Sequence, residues 1–206
     1  MSVTLAIIVI TVLVSLYAWR NESFLLSTIL NPQKVLRRGQ WYRLLTSGFI
    51  HADMSHLLFN MFTLYFFGTL LERVFSILFG GSGPIYLLIF YLVAIVVSDI
   101  PTLIRQRNNS NYNSLGASGG VSALLFGAIM FQPTEKIYLM AVIGIPGFIF
   151  GALYMAYSFY ESRRGRGHIN HDAHLYGAAF GIIVVILLYP PVVSTFVQEI
   201  ANWRLF

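Results

Sequence analysis

The chain has 206 residues, of which 57% are hydrophobic and only 10% charged, and its mean hydropathy is +0.71. A water-soluble domain cannot hide so much apolar surface, so the composition excludes one and indicates a protein embedded in lipid. The chain has no cysteine, which excludes disulfides, zinc–thiolate sites and cysteine nucleophiles. The net charge of +5 suits anionic lipid headgroups, because the basic residues lie in short loops beside apolar runs, and no nucleic-acid partner is expected.

Six apolar segments are predicted to cross the membrane as one all-α domain over residues 1–206. They cover residues 3–19, 53–71, 84–103, 116–131, 137–158 and 172–189. The first is interpreted as a retained span, because no Lys or Arg precedes it and no convincing cleavage site follows it. The polar connection 20–50 mixes basic and aromatic residues, which is typical of short helices at the membrane interface.

Four polar residues lie near the starts of even-numbered spans, where burial in lipid is costly. They are His56 and Asn60 in the second span, Ser118 in the fourth and His174 in the sixth. Because even-numbered spans run in the same direction, all four side chains are predicted near one membrane face. A hydrolase needs a nucleophile, a base and donors for the oxyanion, and these residue types can supply them.

Small residues spaced four apart allow membrane helices to approach closely. The glycines with this spacing are Gly116 and Gly120 in the fourth span and Gly177 and Gly181 in the sixth. If the two spans meet along these glycines, Ser118 and His174 come within hydrogen-bonding reach. The 14 residues from Ser118 to Phe131 extend only about 21 Å. Ser118 is therefore predicted below the membrane surface, in a water-filled cavity.

Each candidate also has a structural interpretation. A serine in a membrane helix commonly bonds a backbone carbonyl, and a histidine beside a loop is often interfacial. The threefold spacing of His168, His171 and His174 is compatible with a metal site. Only the last two are predicted to be helical and no third ligand is evident, so no metal is expected.

Three acidic residues are interpreted as structural or stay unexplained. Asp172 is interpreted as a helix-start residue and Glu72 as an ion partner at a helix end. Asp99, late in the third span, is the least explained polar residue.

Several stretches between about residues 39 and 181 resemble motifs of the rhomboid family, in matching order. Residues 116–119 (GASG) resemble its GxSG motif, and residues 51–60 (HADMSHLLFN) its second-span signature. Residues 173–177 (AHLYG), continuing to Gly181, resemble its last-span motif. Residues 39–43 (GQWYR), which include Trp41 and Arg43, are similar to the family's first-loop element. Glu72 stands where the family usually has a glutamate in the second span. GxSG alone is weak, since lipases contain similar strings.

The resemblance implies a six-span bundle of rhomboid type, with a short fourth span and an interfacial first loop. It also implies a serine endopeptidase that cleaves peptide bonds in or near transmembrane segments of other membrane proteins, without a cofactor. Ser118 would be the nucleophile and His174 the base, with no acid. The oxyanion hole would be formed by His56, Asn60 and the backbone N–H of Ser118. The structural positions of the motifs would be Gly116, Gly119, Gly120, Gly177 and Gly181. Its partners would be transmembrane protein substrates and membrane lipids. Substrates would reach the site through movement of the fifth span near residues 144–147.

Two positions depart from the family pattern. Ser122 stands where many rhomboids carry an aromatic that stacks on the catalytic histidine, and Tyr176 stands where glycine is frequent. An aromatic from elsewhere in the chain could hold the ring of His174.

The orientation in the membrane is predicted differently by charge and by family. Ten Lys and Arg residues lie towards the predicted active-site end and three towards the other, which by the positive-inside rule faces the site to the cytoplasm. Half of the ten lie in the long first connection. Bacterial rhomboids usually face the site outward, and we expect this orientation in a bacterial cytoplasmic membrane.

Two other functions stay open. A rhomboid-like pseudoprotease would bind and escort membrane proteins, although such relatives generally lack the serine or the histidine. A transporter or channel is disfavoured, because the chain has no paired half-repeats and few charges within its spans besides Asp99.

Overall fold

The computed structural model describes residues 2–139, 142–164 and 169–204, and most of them are helical. The helices are α1 Val3–Arg20, α2 Glu22–Thr28, α3 Pro32–Arg38, α4 Arg43–Thr46, α5 Met54–Thr63, α6 Thr69–Phe79, α7 Gly83–Arg105, α8 Ser118–Phe131, α9 Gly147–Arg164, α10 His171–Leu188 and α11 Val192–Asn202. A π-helical turn, Leu64–Gly68, joins α5 to α6, and 3-10 turns cover Ser47–Phe49 and Gly80–Ser82. Strands β1 Lys136–Leu139 and β2 Ile143–Pro146 form an antiparallel hairpin.

Three helical stretches of the described chain are long and apolar enough to cross a membrane. They are Val3–Arg20, Met54–Arg105 and His171–Leu188. The second contains α5–α6 and α7, which turn back on each other at Gly80–Ser82. α8 is apolar but has 14 residues, and α9 carries Glu161, Arg163 and Arg164 at its end. The chain thus has the helical, membrane-embedded character that its composition predicted.

Most predicted spans coincide with helices, but the second is longer than predicted. The first, third, fourth and sixth predicted spans match α1, α7, α8 and α10 to within two residues at each end. The second was predicted to end before Glu72, whereas the helix continues to Phe79. Glu72 accepts hydrogen bonds from the backbone N–H groups of Val3 and Thr4, at 2.9 and 3.0 Å, and from the Thr4 hydroxyl. Its interpretation as a helix-end ion partner is therefore wrong: it caps the start of α1.

The described residues in the first half of the predicted fifth span form a hairpin rather than a helix. Lys136 pairs with Pro146 and Leu139 with Ile143 in the hairpin, and α9 begins only at Gly147. Proline cannot donate a helical hydrogen bond, and it pushes the preceding residue, Ile145, to extended backbone. The proline therefore ends the strand and the helix starts directly after it.

α8 is the central helix of the fold. The twelve residues from Gly119 to Met130 are all buried. It packs against α7 on one side and α10 on another, with α9, α11 and the π-helical turn completing the enclosure. Because protein rather than lipid surrounds α8, its length need not match the hydrocarbon thickness, so it can be shorter than a lipid-exposed span. This places its first residue, Ser118, inside the protein.

The connection 20–50 folds into short helices held by a buried arginine. Arg43 is buried and donates from Nη1 to the carbonyl oxygens of Leu26 and Ile29, at 3.0 and 2.7 Å, and from Nε to Gln40 Oε1 at 2.7 Å. It thus satisfies carbonyl groups at the end of α2 that lack helical partners. Trp41, by contrast, is exposed.

Candidate active site

α8 and α10 meet at backbone contact along what we call the α8–α10 seam, formed by Gly119 and Ala123 of α8 with Gly177 and Gly181 of α10. A Cβ atom at Gly177 would overlap the carbonyl oxygen of Gly119, and one at Gly181 would overlap that of Ala123. Only glycine permits such an approach, so the close contact predicted from the spacing in the sixth span is confirmed.

The glycines of the fourth span have other neighbours than predicted. A Cβ at Gly120 would lie 2.8 Å from the Tyr91 ring of α7, and one at Gly116 would lie 2.7 Å from the His56 ring of α5. The prediction that these two glycines face the sixth span is therefore wrong. Gly119, which lies between them, makes that contact instead.

Ser118 and His174 lie at the starts of the two helices of the seam. Ser118 is the first residue of α8 and His174 the fourth of α10, and both are partly buried. The carbonyl oxygen of Ala173 lies 3.5 Å from the place of a Cβ on Gly119, so the residues next to the predicted pair are in contact. Among the described residues, neither the Ser118 hydroxyl nor the His174 ring makes a side-chain hydrogen bond. The two helix starts come together without a formed hydrogen bond between the side chains.

The loop before Ser118 is held by His51, which is completely buried. The N–H of Ala117 donates to His51 Nε2 at 3.3 Å, and His51 Nδ1 lies 3.1 Å from the hydroxyl oxygen of Ser15. Because Ser15 Oγ donates to the Phe49 carbonyl, it is free to accept the Nδ1 proton. Burial, reinforced by the neighbouring His56, lowers the pKa of His51 to about 3, so the ring is neutral at pH 7. His51 belongs to the motif of residues 51–60, but its spacing predicted no role for it.

His56 and Asn60 lie on one face of α5, as predicted from their spacing. The His56 ring borders Gly116, whose φ of +122° is a backbone conformation that favours glycine. The Asn60 amide is buried and donates to the His56 carbonyl at 3.0 Å, which leaves its second hydrogen for another acceptor. The His56 ring is thus placed beside the loop that carries Ser118, and Asn60 lies one turn farther along the same face of α5.

The first turn of α8 has no side-chain cap, since Ala117 stands at the capping position. The leading N–H groups of a helix have no partner within the helix and carry a partial positive charge. The backbone at Ser118 can therefore act as a hydrogen-bond donor to an anionic oxygen.

A partly buried hydrogen-bond network around Asn170, which no sequence pattern predicted, anchors the start of α10. The Asn170 side chain accepts from the Ala173 N–H at 3.1 Å and the Thr102 hydroxyl at 2.9 Å. It donates to Asp99 Oδ1 at 3.1 Å and Ser114 Oγ at 3.2 Å. Asp99, previously unexplained, is therefore the acceptor that ties α7 to the helix of His174.

Asp172 lies in the first turn of α10, as predicted. It also pairs with Arg105 at 2.8 Å and accepts a hydrogen bond from Ser162 of α9. These contacts join the ends of α7 and α9 to α10, which supports a structural role for Asp172.

An aromatic ring from α9 occupies the neighbourhood of His174. The Tyr154 ring is stacked on the His174 ring with centroids 6.0 Å apart and planes inclined by 22°. Its hydroxyl lies 2.7 Å from Ser122 Oγ. Tyr176, the other departure from the family pattern, is exposed. Nothing in the spacing of the sequence singled out Tyr154 among the twelve tyrosines.

The weighed metal site is only partly described, because His168 lies outside the described residues. The His171 and His174 rings are 5.7 Å apart, edge to face. Within residues 2–139, 142–164 and 169–204, no three His, Asp or Glu side chains are grouped to hold a metal ion.

Comparison with known proteins gives a consistent result. A family model, described as Rhomboid domain, matches residues 38–191. RHOMBOID-like protein 12, mitochondrial, of Arabidopsis thaliana is 30% identical over 182 residues, which cover 80% of this chain and 52% of that protein. Rhomboid-like protein 11, chloroplastic, of the same plant is 29% identical over 161 residues, covering 72% and 52%. Rhomboid protease GluP of Bacillus subtilis (strain 168) is 25% identical over 182 residues, covering 88% and 33%. The chain thus spans about half the length of the plant relatives and a third of the bacterial one.

Proposed function

This chain belongs to the rhomboid family, and from that premise we propose that it is an intramembrane serine endopeptidase. Its substrates would be other membrane proteins, hydrolysed at peptide bonds in or near their transmembrane segments. The bacterial relative carries protease in its name, which supports the same class of reaction.

The observation that carries this proposal is the α8–α10 seam. Gly177 lies against the Gly119 carbonyl. Gly119 directly follows Ser118 in α8, and Gly177 lies about one turn after His174 in α10. This backbone contact brings together the helix ends that carry the serine and the histidine, and the proposed reaction requires a hydrogen bond between their side chains. Catalytic hydrogen bonds are often long in the free enzyme and tighten when substrate binds.

In the proposed reaction, Ser118 is the nucleophile and His174 the general base. Ser118 Oγ attacks the scissile carbonyl while His174 takes its proton, and His174 then gives that proton to the leaving amine. Water hydrolyses the resulting acyl-enzyme with the same base. The developing oxyanion would accept hydrogen bonds from the Ser118 N–H, the free hydrogen of the Asn60 amide and the His56 ring. The His56 ring borders Gly116 in the loop before Ser118, and Asn60 is bonded to the His56 carbonyl.

The proposed membrane arrangement has six crossings. They are α1, α5–α6, α7, α8, α9 and α10. α8 is too short to span lipid alone, but as the enclosed core helix it would contact protein along its whole length.

We propose that the active-site end faces outward in a bacterial cytoplasmic membrane. Because the chain has no cysteine, Arg107→Cys in the exposed loop after α7 gives a single label site. Labelling of intact cells by a membrane-impermeant maleimide is expected, and protection until the cells are lysed would reverse the orientation.

The experiment that tests the proposal uses the purified protein in liposomes with a single-span substrate that has small residues and glycine near one end of its span. Ser118→Ala and His174→Ala are each expected to lower the cleavage rate by at least about 10³-fold. A fluorophosphonate probe is expected to label the parent protein and not Ser118→Ala. Ser194→Ala, at an exposed serine of α11, is the matched control and keeps full activity.

Two outcomes would contradict the proposal. Cleavage that persists in both variants would rule out the pair. Absent cleavage and labelling in the parent protein, together with retained binding of the substrate, would instead indicate a pseudoprotease.

A further inference from the structure

Tyr154 lies near the middle of α9 and contacts both helices of the seam. Its ring stacks on His174 of α10, and its hydroxyl forms a 2.7 Å hydrogen bond with Ser122 of α8. Ser122 is buried and lies four residues after Ser118, one helical turn along the same helix. A single side chain therefore connects the helix of the nucleophile to the ring of the base.

The Tyr154 ring is itself held in place by neighbouring rings. Phe126 of α8 and Phe150 of α9 have centroids 5.5 and 6.0 Å from it, within the range of favourable aromatic pairs. With its hydroxyl bound to Ser122 and its faces packed, the ring has little freedom to rotate. It can therefore serve as a fixed surface for the imidazole.

His174 depends on such a surface, because packing alone orients its ring. Among the described residues it has no side-chain hydrogen-bond partner, and its ring neighbours are Tyr154 on one side and His171 edge-on. A general base must hold its nitrogen in line with the proton that it removes, and a displacement of about 1 Å can cost about 10²-fold in rate.

We propose that Tyr154 is a positioning residue that holds the His174 ring in its working orientation, and that Ser122 fixes Tyr154 through the hydroxyl. The inference rests on the proposed function, since it takes His174 to be the base. It assigns to α9 a part in the reaction that goes beyond enclosing the site. It also gives Ser122 a reason to be small and polar: the tyrosine ring from α9 fills the space beside it.

The test separates the stack from the hydrogen bond. Tyr154→Leu removes the stack, and we expect kcat to fall by roughly 10²-fold with KM unchanged. Tyr154→Phe keeps the stack and loses one hydrogen bond, so it should lower kcat by about fivefold. Ser122→Ala removes the same bond from the other side and should match it. The double variant Ser122→Ala/Tyr154→Phe should be no slower than either single variant, because both remove one interaction.

Fluorophosphonate labelling distinguishes positioning from a merely structural role. A displaced base slows labelling of Ser118 but leaves the final fraction of labelled protein unchanged. A smaller final fraction labelled at the parent rate would mean partial unfolding and would overturn the inference. Tyr160→Leu, which replaces an exposed ring on the same helix, is the matched control and should label like the parent.

Failure of this inference is distinguishable from failure of the proposed function. If Ser118→Ala is labelled like the parent, the proposed function itself fails. If Ser118→Ala blocks labelling while Tyr154→Leu labels at the parent rate, only the positioning role is overturned. Should Tyr154→Leu not fold, Tyr154→Phe and Ser122→Ala decide, and additive effects in their double variant would contradict the link between the two residues.

Discussion

The α8–α10 seam and the segment that follows α8 serve the same site in different ways. In the seam, backbone meets backbone, and Gly177 and Gly181 leave no room for any side chain. In the following segment, the β1–β2 hairpin leads into α9, which reaches the site through one aromatic side chain, Tyr154. The first contact tolerates only glycine. The second is a contact that aromatic residues at several positions could make.

This difference explains why the α10 side of the seam was predicted from sequence and the Tyr154 contact was not, although the glycines chosen for the α8 side were the wrong ones. Glycines four residues apart in an apolar run are a pattern that close helix packing requires. A tyrosine that stacks on a histidine requires no particular spacing, and only the missing aromatic at Ser122 indicated that another ring was needed. Contacts with strict steric demands can be recognised in a single sequence, whereas permissive ones become visible only in the structure.

Among the changes that test this comparison, adding one methyl group to the seam is expected to have the largest effect on labelling. Gly177→Ala would force α10 away from the Gly119 carbonyl, next to Ser118, and should slow fluorophosphonate labelling by about 10²-fold. It should also lower the free energy of unfolding by about 1–3 kcal/mol, as overpacking does. Labelling rates and thermal unfolding in detergent measure the two effects.

Gly181→Ala sharpens the same comparison, because it makes the same clash one turn farther from the site. We expect a similar loss of stability with a smaller loss of labelling rate. Gly81→Ala, in a turn with open space around it, is the control. Equal labelling by Gly177→Ala and Gly81→Ala would show that the seam does not position the reacting groups.

A loss of stability without a seam clash is expected from acid, acting through His51. Its pKa is about 3 in the folded protein and about 6.5 when exposed, so below pH 6.5 the unfolded chain binds a proton that the folded chain does not. The stability contributed by neutral His51 is complete above pH 6.5. It should fall by up to about 1.4 kcal/mol per pH unit as the pH drops towards 3.

The difference between the parent and His51→Gln, measured as melting temperature against pH, isolates this contribution from other titrating groups such as Asp53 and His56. The variant should give the flatter curve between pH 6.5 and 3. Parallel curves would mean that His51 does not hold the Ala117 N–H as a neutral acceptor. Tyr154→Phe should keep the parent slope, since the α9 contact involves no charge.

The smallest effect is expected in the hairpin. Gly144→Ala would bring a methyl group to 3.0 Å from the ring of Tyr138, which is exposed and free to move aside. The free energy of unfolding should change by less than about 0.5 kcal/mol, and the labelling rate should not change. A large loss of activity would show that the hairpin constrains α9 and Tyr154 more tightly than its contacts indicate.

Much of the fold was predictable because lipid imposes long apolar runs with polar ends. The ends of α1, α7, α8 and α10 were predicted to within two residues. The prediction of the fifth span was wrong in its first half because it rested on apolar composition alone. Pro146 ends the strand there, and the helix begins directly after it. The second segment was predicted too short because Glu72 was taken as the end of the span.

The candidate site was predictable in its principal residues and not in its supports. Ser118 and His174 were predicted near one end of neighbouring helices, and the structure places their helix starts together, while the roles of both residues stay predictions. Asn170, His51 and Tyr154 support them through contacts between residues far apart in the chain. No pattern along a single sequence encodes such pairings.

The carboxylate of Glu72 has a consequence for how the protein is built. It closes the N-terminal end of α1 from a position 68 residues beyond Thr4. Because α1 precedes Glu72 in the chain, α1 is synthesised before that acceptor exists. The first helix can therefore gain these hydrogen bonds only once the second long hydrophobic stretch packs beside it, which links the completion of the two segments during assembly.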